Sequence, residues 1–182
     1  MTFNEINSAF HFPALSQGLV KSNGAGEYQN IFQAWHNQFV ASSKAVKIGH
    51  ELRSDIQIGC MIIYATTYSI DANPVNQAAT MIQNQEFNFF CTDVQVRGEY
   101  PAYTARTHKK YGVDPEKLEQ TEKDFQLLKE YPVDYIGFSY YMSTAINETD
   151  PQAATSEGNL LGGVKNPFLE ASEWGWQIIQ KG

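Results

Sequence analysis

Long apolar runs are missing. No stretch of about 18 apolar residues, the minimum for a transmembrane helix, occurs in the 182-residue sequence, so a helical membrane span is not expected. The opening residues Met1-Thr2-Phe3-Asn4-Glu5 lack the basic and apolar regions of a secretory leader, which points to the cytoplasm. Only two cysteines occur, Cys60 and Cys91, too few for a disulfide scaffold; both sit in apolar runs and read as reduced core residues. Basic residues are scarce: 13 Lys and Arg face 20 Asp and Glu, for a net charge of −7. Such a surface argues against nucleic acid and against an anionic membrane as main partners. The four histidines, His11, His36, His50 and His108, show no HxH or HExxH spacing, and the cysteines form no CxxC, so no metal site is expected. No Gly-x-Ser-x-Gly elbow is present. Gly24-Ala25-Gly26 and Gly162-Gly163-Val164-Lys165 lack the spacing and flanking elements of phosphate-cradling loops and read as plain loops.

What is present is ample core material, 42% hydrophobic and 13% aromatic, with alternating periodicity. Thr2-Phe3-Asn4-Glu5-Ile6 resembles the end of a strand. Ile31, Trp35, Phe39, Ser42 and Val46 form one apolar stripe on a helix over 28–52. Residues 57–64 are a continuous apolar run, expected to be a strand buried on both faces. Pro74 opens a second helix with Val75, Ala78, Ala79 and Ile82 as its stripe. Residues 87–105 read as an irregular aromatic insertion. Leu118, Thr121, Phe125 and Leu128 mark a third helix ending before Pro132, and 133–141 a second buried strand. Residues 142–182, rich in Gly, Asn, Ser and Thr, read as a long loop. This alternation predicts an α/β fold with a parallel sheet. Chemistry in that class gathers beyond the C-terminal ends of strands, which singles out Asn4-Glu5, Tyr64 to Tyr68 and Ser139 to Ser143.

Six blocks in order carry a resemblance. They are Thr2-Phe3-Asn4-Glu5-Ile6-Asn7; Ile58-Gly59-Cys60-Met61 with Tyr64; the run from Phe90 to Pro101; Asp134 to Tyr141; Leu160 to Pro167; and Ser172 to Ile178. Together they resemble glycoside hydrolase family 1, closest to its bacterial 6-phospho-β-glucosidases, from the end of barrel strand four to the loop after strand six. The resemblance implies that residues 1–182 are a single piece of a (β/α)8 TIM barrel with its site at the C-terminal face of the strands. It implies a retaining, two-carboxylate mechanism in which Glu5 is the acid/base and has to hold a proton near neutral pH. Asn4 matches the residue that hydrogen-bonds the sugar 2-hydroxyl, and Tyr141 the one that hydrogen-bonds the nucleophile. Trp174 is placed to be an apolar platform for the aglycone. Ser139 stands where the family usually has asparagine. No metal or organic cofactor is implied. The implied substrate is a phosphorylated β-glucoside such as cellobiose 6-phosphate or an aryl 6-phospho-β-glucoside.

The family's nucleophile, a glutamate in Thr-Glu-Asn-Gly, has no match here. The one Thr-Glu pair, Thr121-Glu122, precedes Lys123 on an expected helix. Strands one to three and the phosphate-binding loop are also unmatched. The expectation is therefore a central barrel fragment with an acid but no nucleophile, negligible activity alone, marginal stability, and sheet edges that invite self-association. Two alternatives stay open: a non-catalytic truncated product or associating fragment, and an independent sugar-binding module.

Overall fold

A computed structural model of the chain describes residues 1–20, 26–150, 152–153 and 161–179. Gly24, Ala25, Leu160 and Gly182, named above, lie outside the described residues. The chain divides into two compact units: Met1–Ile62 with Phe89–Phe138, and Ile63–Asn88 with Ser139–Gly182.

The first unit begins with extended backbone. The Thr2 N–H donates to the Gly59 carbonyl at 2.9 Å, Asn4 forms a parallel bridge with Met61, and the Glu5 N–H donates to the Met61 carbonyl at 2.9 Å. A 3-10 turn over Ile6–Phe10 and a short helix α1, Pro13–Gln17, follow. Helix α2 spans Glu27–Leu52 and buries all five residues of the expected stripe, with Phe32, His36, Val40 and Ser43 beside them. Its face packs on Ile6, Ala9, Phe90, Cys91, Val94, Leu118 and Leu128, the main core of this unit. Aromatic rings dominate that core: Phe32 meets Trp35 edge-on at 5.0 Å and Phe90 at 5.5 Å. A smaller cluster joins Val46, Cys60 and Val133.

The expected irregular insertion at 87–105 is instead largely helical. A π turn over Asn84–Phe89 leads into α4, Phe90–Arg97, and α5 spans Thr104–Tyr111. Phe90, Cys91 and Val94 share the buried face of α4, and Gly98 ends it with a left-handed φ of 69°. A 3-10 turn at Pro115–Lys117 precedes α6, Glu122–Glu130. Leu118 and Thr121 lie ahead of α6 rather than on it. Thr121 is its cap, in a reciprocal capping box with Asp124.

Strands β1, Cys60–Ser69, and β2, Ile136–Ile146, form a two-stranded sheet and run through both units. The Cys60 N–H reaches Tyr135 and the Ile70 N–H reaches Ile146, so partners advance in the same direction and the pair is parallel. Both strands start later and end later than their apolar runs suggest. Ahead of β1, the Ile58 N–H donates to the Asp134 carboxylate at 2.7 Å, while the Ile58 carbonyl accepts from the Asp134 N–H at 2.9 Å. Beyond Tyr64, the run Ala65-Thr66-Thr67-Tyr68 still suits a pleated surface. Burial on both faces does not hold for β2. Ile136, Phe138 and Tyr140 are exposed, while Met142 to Ala145 are buried. Among the described residues, β1 is the one named strand paired with β2.

In the second unit, α3 spans Pro74–Gln83 with Asn73 as its cap, as Pro74 suggested. Its expected apolar stripe is not the anchor: Val75 and Ala78 are exposed, and Asn76 is the buried residue. The Asn76 side chain accepts from the N–H groups of Glu148 and Thr149 and donates to Asp71 and Thr149, so the helix is held by polar contacts. The Asn88 amide donates to the Ala65 carbonyl at 2.8 Å and accepts from the Ala65 N–H at 3.1 Å, taking the place of a strand neighbour for β1. The region beyond Tyr141, expected as loop, carries the rest of β2 and antiparallel bridges Ser143–Gln177, Ala145–Val164 and Ala171–Gln177.

Candidate active site

Asn4 and Glu5 stand where the first extended segment stops, as their sequence suggests. Asn4 is exposed and Glu5 half-buried. Glu5 is the one non-glycine with positive φ among the described residues, at φ 50° and ψ 41°. An L-residue in the left-handed region costs about 1–2 kcal/mol, and such outliers cluster at functional sites. The conformation is held on both sides of the residue. The N–H of Glu5 is tied to Met61, and its carbonyl accepts from the Ser8 N–H at 3.0 Å and the Ser8 hydroxyl at 2.7 Å.

Tyr141 and Trp174 belong to the second unit. Tyr141 is exposed, and its ring meets Trp176, not Trp174, edge-on at 5.9 Å. Trp174 is 77% exposed, so it is no core residue and its indole face is open to a ligand. Trp176 is half-buried and its N–H donates to the Ser172 hydroxyl at 3.2 Å. Near Tyr141, partial burial and the Tyr68 and Tyr64 phenols push the Tyr140 phenol up, against a hydrogen bond with Thr66. Asn4 and Glu5 are thus brought together on one strand end, and Tyr141 and Trp176 on one ring contact. The role of Ser8 carries no sequence signal, because one serine in a short turn is too common to single out.

Cys60 and Cys91 are free and buried, as expected. Burial pushes the Cys60 thiol up to about 11 and the Cys91 thiol well above its usual range, so both stay protonated at neutral pH. Among the described residues, no three His, Cys, Asp or Glu side chains stand close enough to hold a metal ion, and no helix is long and apolar enough to cross a membrane. A cleft of about 560 Å³ opens in the first unit, lined by Tyr100, Thr104, His108, Lys109, Gln120 and Phe125. It contains none of the candidate catalytic residues.

Comparison with known proteins bears on the family and the fold. Residues 1–182 match the model of glycosyl hydrolase family 1. The aryl-phospho-beta-D-glucosidase BglH of Bacillus subtilis is 50% identical over 182 residues, all of this chain and 38% of its own length. The 6-phospho-beta-glucosidase of Clostridium longisporum is 43% identical over 182 residues, 37% of its length. The chain therefore spans 37–38% of the length of these relatives. A Thermotoga maritima family 1 β-glucosidase in complex with isofagomine lactam superposes with a TM-score of 0.71 at 22% identity, over 98% of this chain and 37% of that one. A β-glucosidase from Exiguobacterium marinum superposes with a TM-score of 0.68 at 20% identity, over 95% of this chain and 37% of that one. At these identities the likeness shows the fold: the α/β arrangement is part of a (β/α)8 barrel. With its sequence matched from the first residue to the last, the chain belongs to glycosyl hydrolase family 1.

Proposed function

We propose that residues 1–182 are a single piece of the catalytic barrel of a retaining 6-phospho-β-glucosidase, and that this piece supplies the acid/base, Glu5. The observation that carries the reading is Glu5 itself, a carboxyl at a strand end with a left-handed backbone held by hydrogen bonds on both sides. The substrate class, a phosphorylated β-glucoside such as an aryl 6-phospho-β-glucoside or cellobiose 6-phosphate, is supported by the two relatives' names at 50% and 43% identity. A sugar phosphate of this kind suits a cytoplasmic setting.

In the proposed reaction the Glu5 proton passes to the glycosidic oxygen as the bond to the anomeric carbon breaks. A carboxylate from outside these 182 residues attacks that carbon and forms the covalent intermediate. The ionised Glu5 then takes a proton from water, whose oxygen displaces the carboxylate and releases the sugar. Asn4 hydrogen-bonds the sugar 2-hydroxyl, Tyr141 orients the attacking carboxylate, and Trp174 stacks on the aglycone. The sequence contains no Thr-Glu-Asn-Gly, so the isolated chain carries the acid without its nucleophile. With nitrophenyl 6-phospho-β-glucoside, the purified chain should release no nitrophenol above a protein-free blank. Release above that blank would contradict this reading, because a carboxylate within the chain would then have to attack.

A second reading, an associating fragment without catalysis, is favoured by the exposed apolar residues of β2: Phe138 is 64%, Tyr140 44% and Ile136 42% exposed. A sheet edge with such residues is a template for pairing with another copy. Sedimentation that stays monomeric across concentrations would count against it.

A further inference from the structure

We propose that Ser8 and Trp35 are positioning residues for Glu5, fixing the left-handed backbone from which its carboxyl leaves the strand; this inference rests on the reading of Glu5 as the acid/base. The segment arrives extended, in parallel register with β1 at Met61, and two residues later it is already in a 3-10 turn. That change of direction is made at Glu5, where a glycine or asparagine would adopt φ 50° at lower cost. In the left-handed region the Cα–Cβ bond points differently from its direction in a strand. A carboxyl that left this site from extended backbone would therefore occupy a different place.

Four hydrogen bonds over-determine the turn. The Glu5 N–H is fixed to the Met61 carbonyl at 2.9 Å. The Ser8 N–H and hydroxyl converge on the Glu5 carbonyl at 3.0 and 2.7 Å. One residue on, the Trp35 indole N–H donates to the Ile6 carbonyl at 2.7 Å. The Ser8 and Trp35 donors are buried, at 6% and 2% exposure, which strengthens their hydrogen bonds. Trp35 is itself clamped among Phe10, Phe32 and Phe90, with ring centroids 4.9 to 5.5 Å away. The turn after Glu5 is thereby referenced to helix α2 and the aromatic core of the first unit. A general acid has to present its proton within hydrogen-bond reach of the leaving oxygen, and small misplacements are costly. A strained residue clamped to a rigid core meets that need.

The test is NMR of the full 182-residue chain with labelled glutamate, the Glu5 signal being assigned by its loss in Glu5→Gln. A positive φ brings the amide and α protons of one residue close together and gives a strong intraresidue NOE. The wild-type chain and Ser8→Thr should show it at Glu5. Ser8→Ala should weaken it and shift the Glu5 α-carbon, leaving the other glutamates in place. Should Ser8→Ala lose its fold, Trp35→Phe, which removes the indole N–H while keeping an aromatic ring in the core, should show the same change at Glu5. A Glu5 signature unaltered in both variants overturns the proposal, whatever the role of Glu5. The reverse failure is separate. In a barrel where this chain replaces the matching segment of the Bacillus subtilis relative, a Glu5→Gln variant with undiminished turnover would overturn the acid/base reading and leave the backbone result standing. If both hold, Ser8→Ala in that barrel lowers kcat with little change in KM, and Ser8→Thr restores it.

Discussion

Replacing Asn76 by alanine should unpin the loop after β2 without disturbing the first unit. Asn76 is fully buried, at 0% exposure, and makes four side-chain hydrogen bonds. Its Oδ1 accepts from the Glu148 N–H at 2.8 Å and the Thr149 N–H at 3.3 Å; its Nδ2 donates to the Asp71 carboxylate at 2.9 Å and the Thr149 hydroxyl at 3.1 Å. A net hydrogen bond contributes about 0.5–1.5 kcal/mol. Asp71, Glu148 and Thr149 are exposed, so water takes over part of each lost contact and the low end applies. Four bonds at the low end give about 2 kcal/mol, or roughly a thirtyfold change in the opening equilibrium. Amide hydrogen exchange reads this directly. The Glu148 and Thr149 amides of Asn76→Ala should exchange roughly thirty times faster than in the wild-type chain. The Val133 amide, bonded to the Gln95 carbonyl in the first unit, should be unchanged. Unaltered exchange at Glu148 and Thr149 would refute the view that α3 is anchored by polar contacts.

Two further outcomes follow from burial and backbone geometry. Burial lowers His36 and His108 below their ordinary value of 6.5, in His36 against the raising effect of Asp124. The unfolded chain therefore binds protons first, and stability is fully present above 6.5 and declines as the pH falls toward the lowered folded values. Urea midpoints between about pH 8 and pH 5 should fall with acidification, and His36→Gln should flatten that slope; an unchanged slope would contradict the assignment. At Gly98, with φ +69°, an added Cβ would lie 2.5 Å from the Leu128 carbonyl oxygen and 2.6 Å from the Lys129 Cα. Gly98→Ala should cost about 1–3 kcal/mol in backbone conformation alone. A thermal midpoint equal to wild type would show that α4 and α6 are not packed this closely.

Periodicity made the first unit's principal helix legible in the sequence, since every residue of the Ile31-to-Val46 stripe is buried. Strand ends were less legible, because they depend on distant partners. The Ile58 N–H goes to the Asp134 carboxylate, and β2 runs past Tyr141 with bridges from Ser143 to Gln177 and from Ala145 to Val164. Helix α4 was hidden by the aromatic residues that flank it, Phe87, Phe89, Tyr100 and Tyr103, although Phe90, Cys91 and Val94 followed by Gly98 spell a buried face and a left-handed stop. The stripe read on α3 misled because hydrophobic spacing says nothing of an asparagine that anchors through hydrogen bonds. At the candidate site, Asn4 and Glu5 were singled out by the resemblance of Thr2-Phe3-Asn4-Glu5 to a family motif. The left-handed backbone of Glu5 and its grip by Ser8 were not, for they arise from contacts with β1 and α2 that no local pattern encodes.

The role of Glu5 is tested most directly by the leaving group. In the barrel that joins this chain to the rest of the Bacillus subtilis relative, kcat/KM, which reports formation of the glycosyl-enzyme, would be compared for nitrophenyl 6-phospho-β-glucoside and cellobiose 6-phosphate before and after Glu5→Gln. Nitrophenolate departs with little help from an acid, whereas a sugar alkoxide requires a proton. If Glu5 is the acid/base, Glu5→Gln should depress cellobiose 6-phosphate turnover by about 10²–10⁴-fold and formation of the glycosyl-enzyme from the nitrophenyl substrate far less. Equal losses on both substrates, or no loss on either, would contradict it.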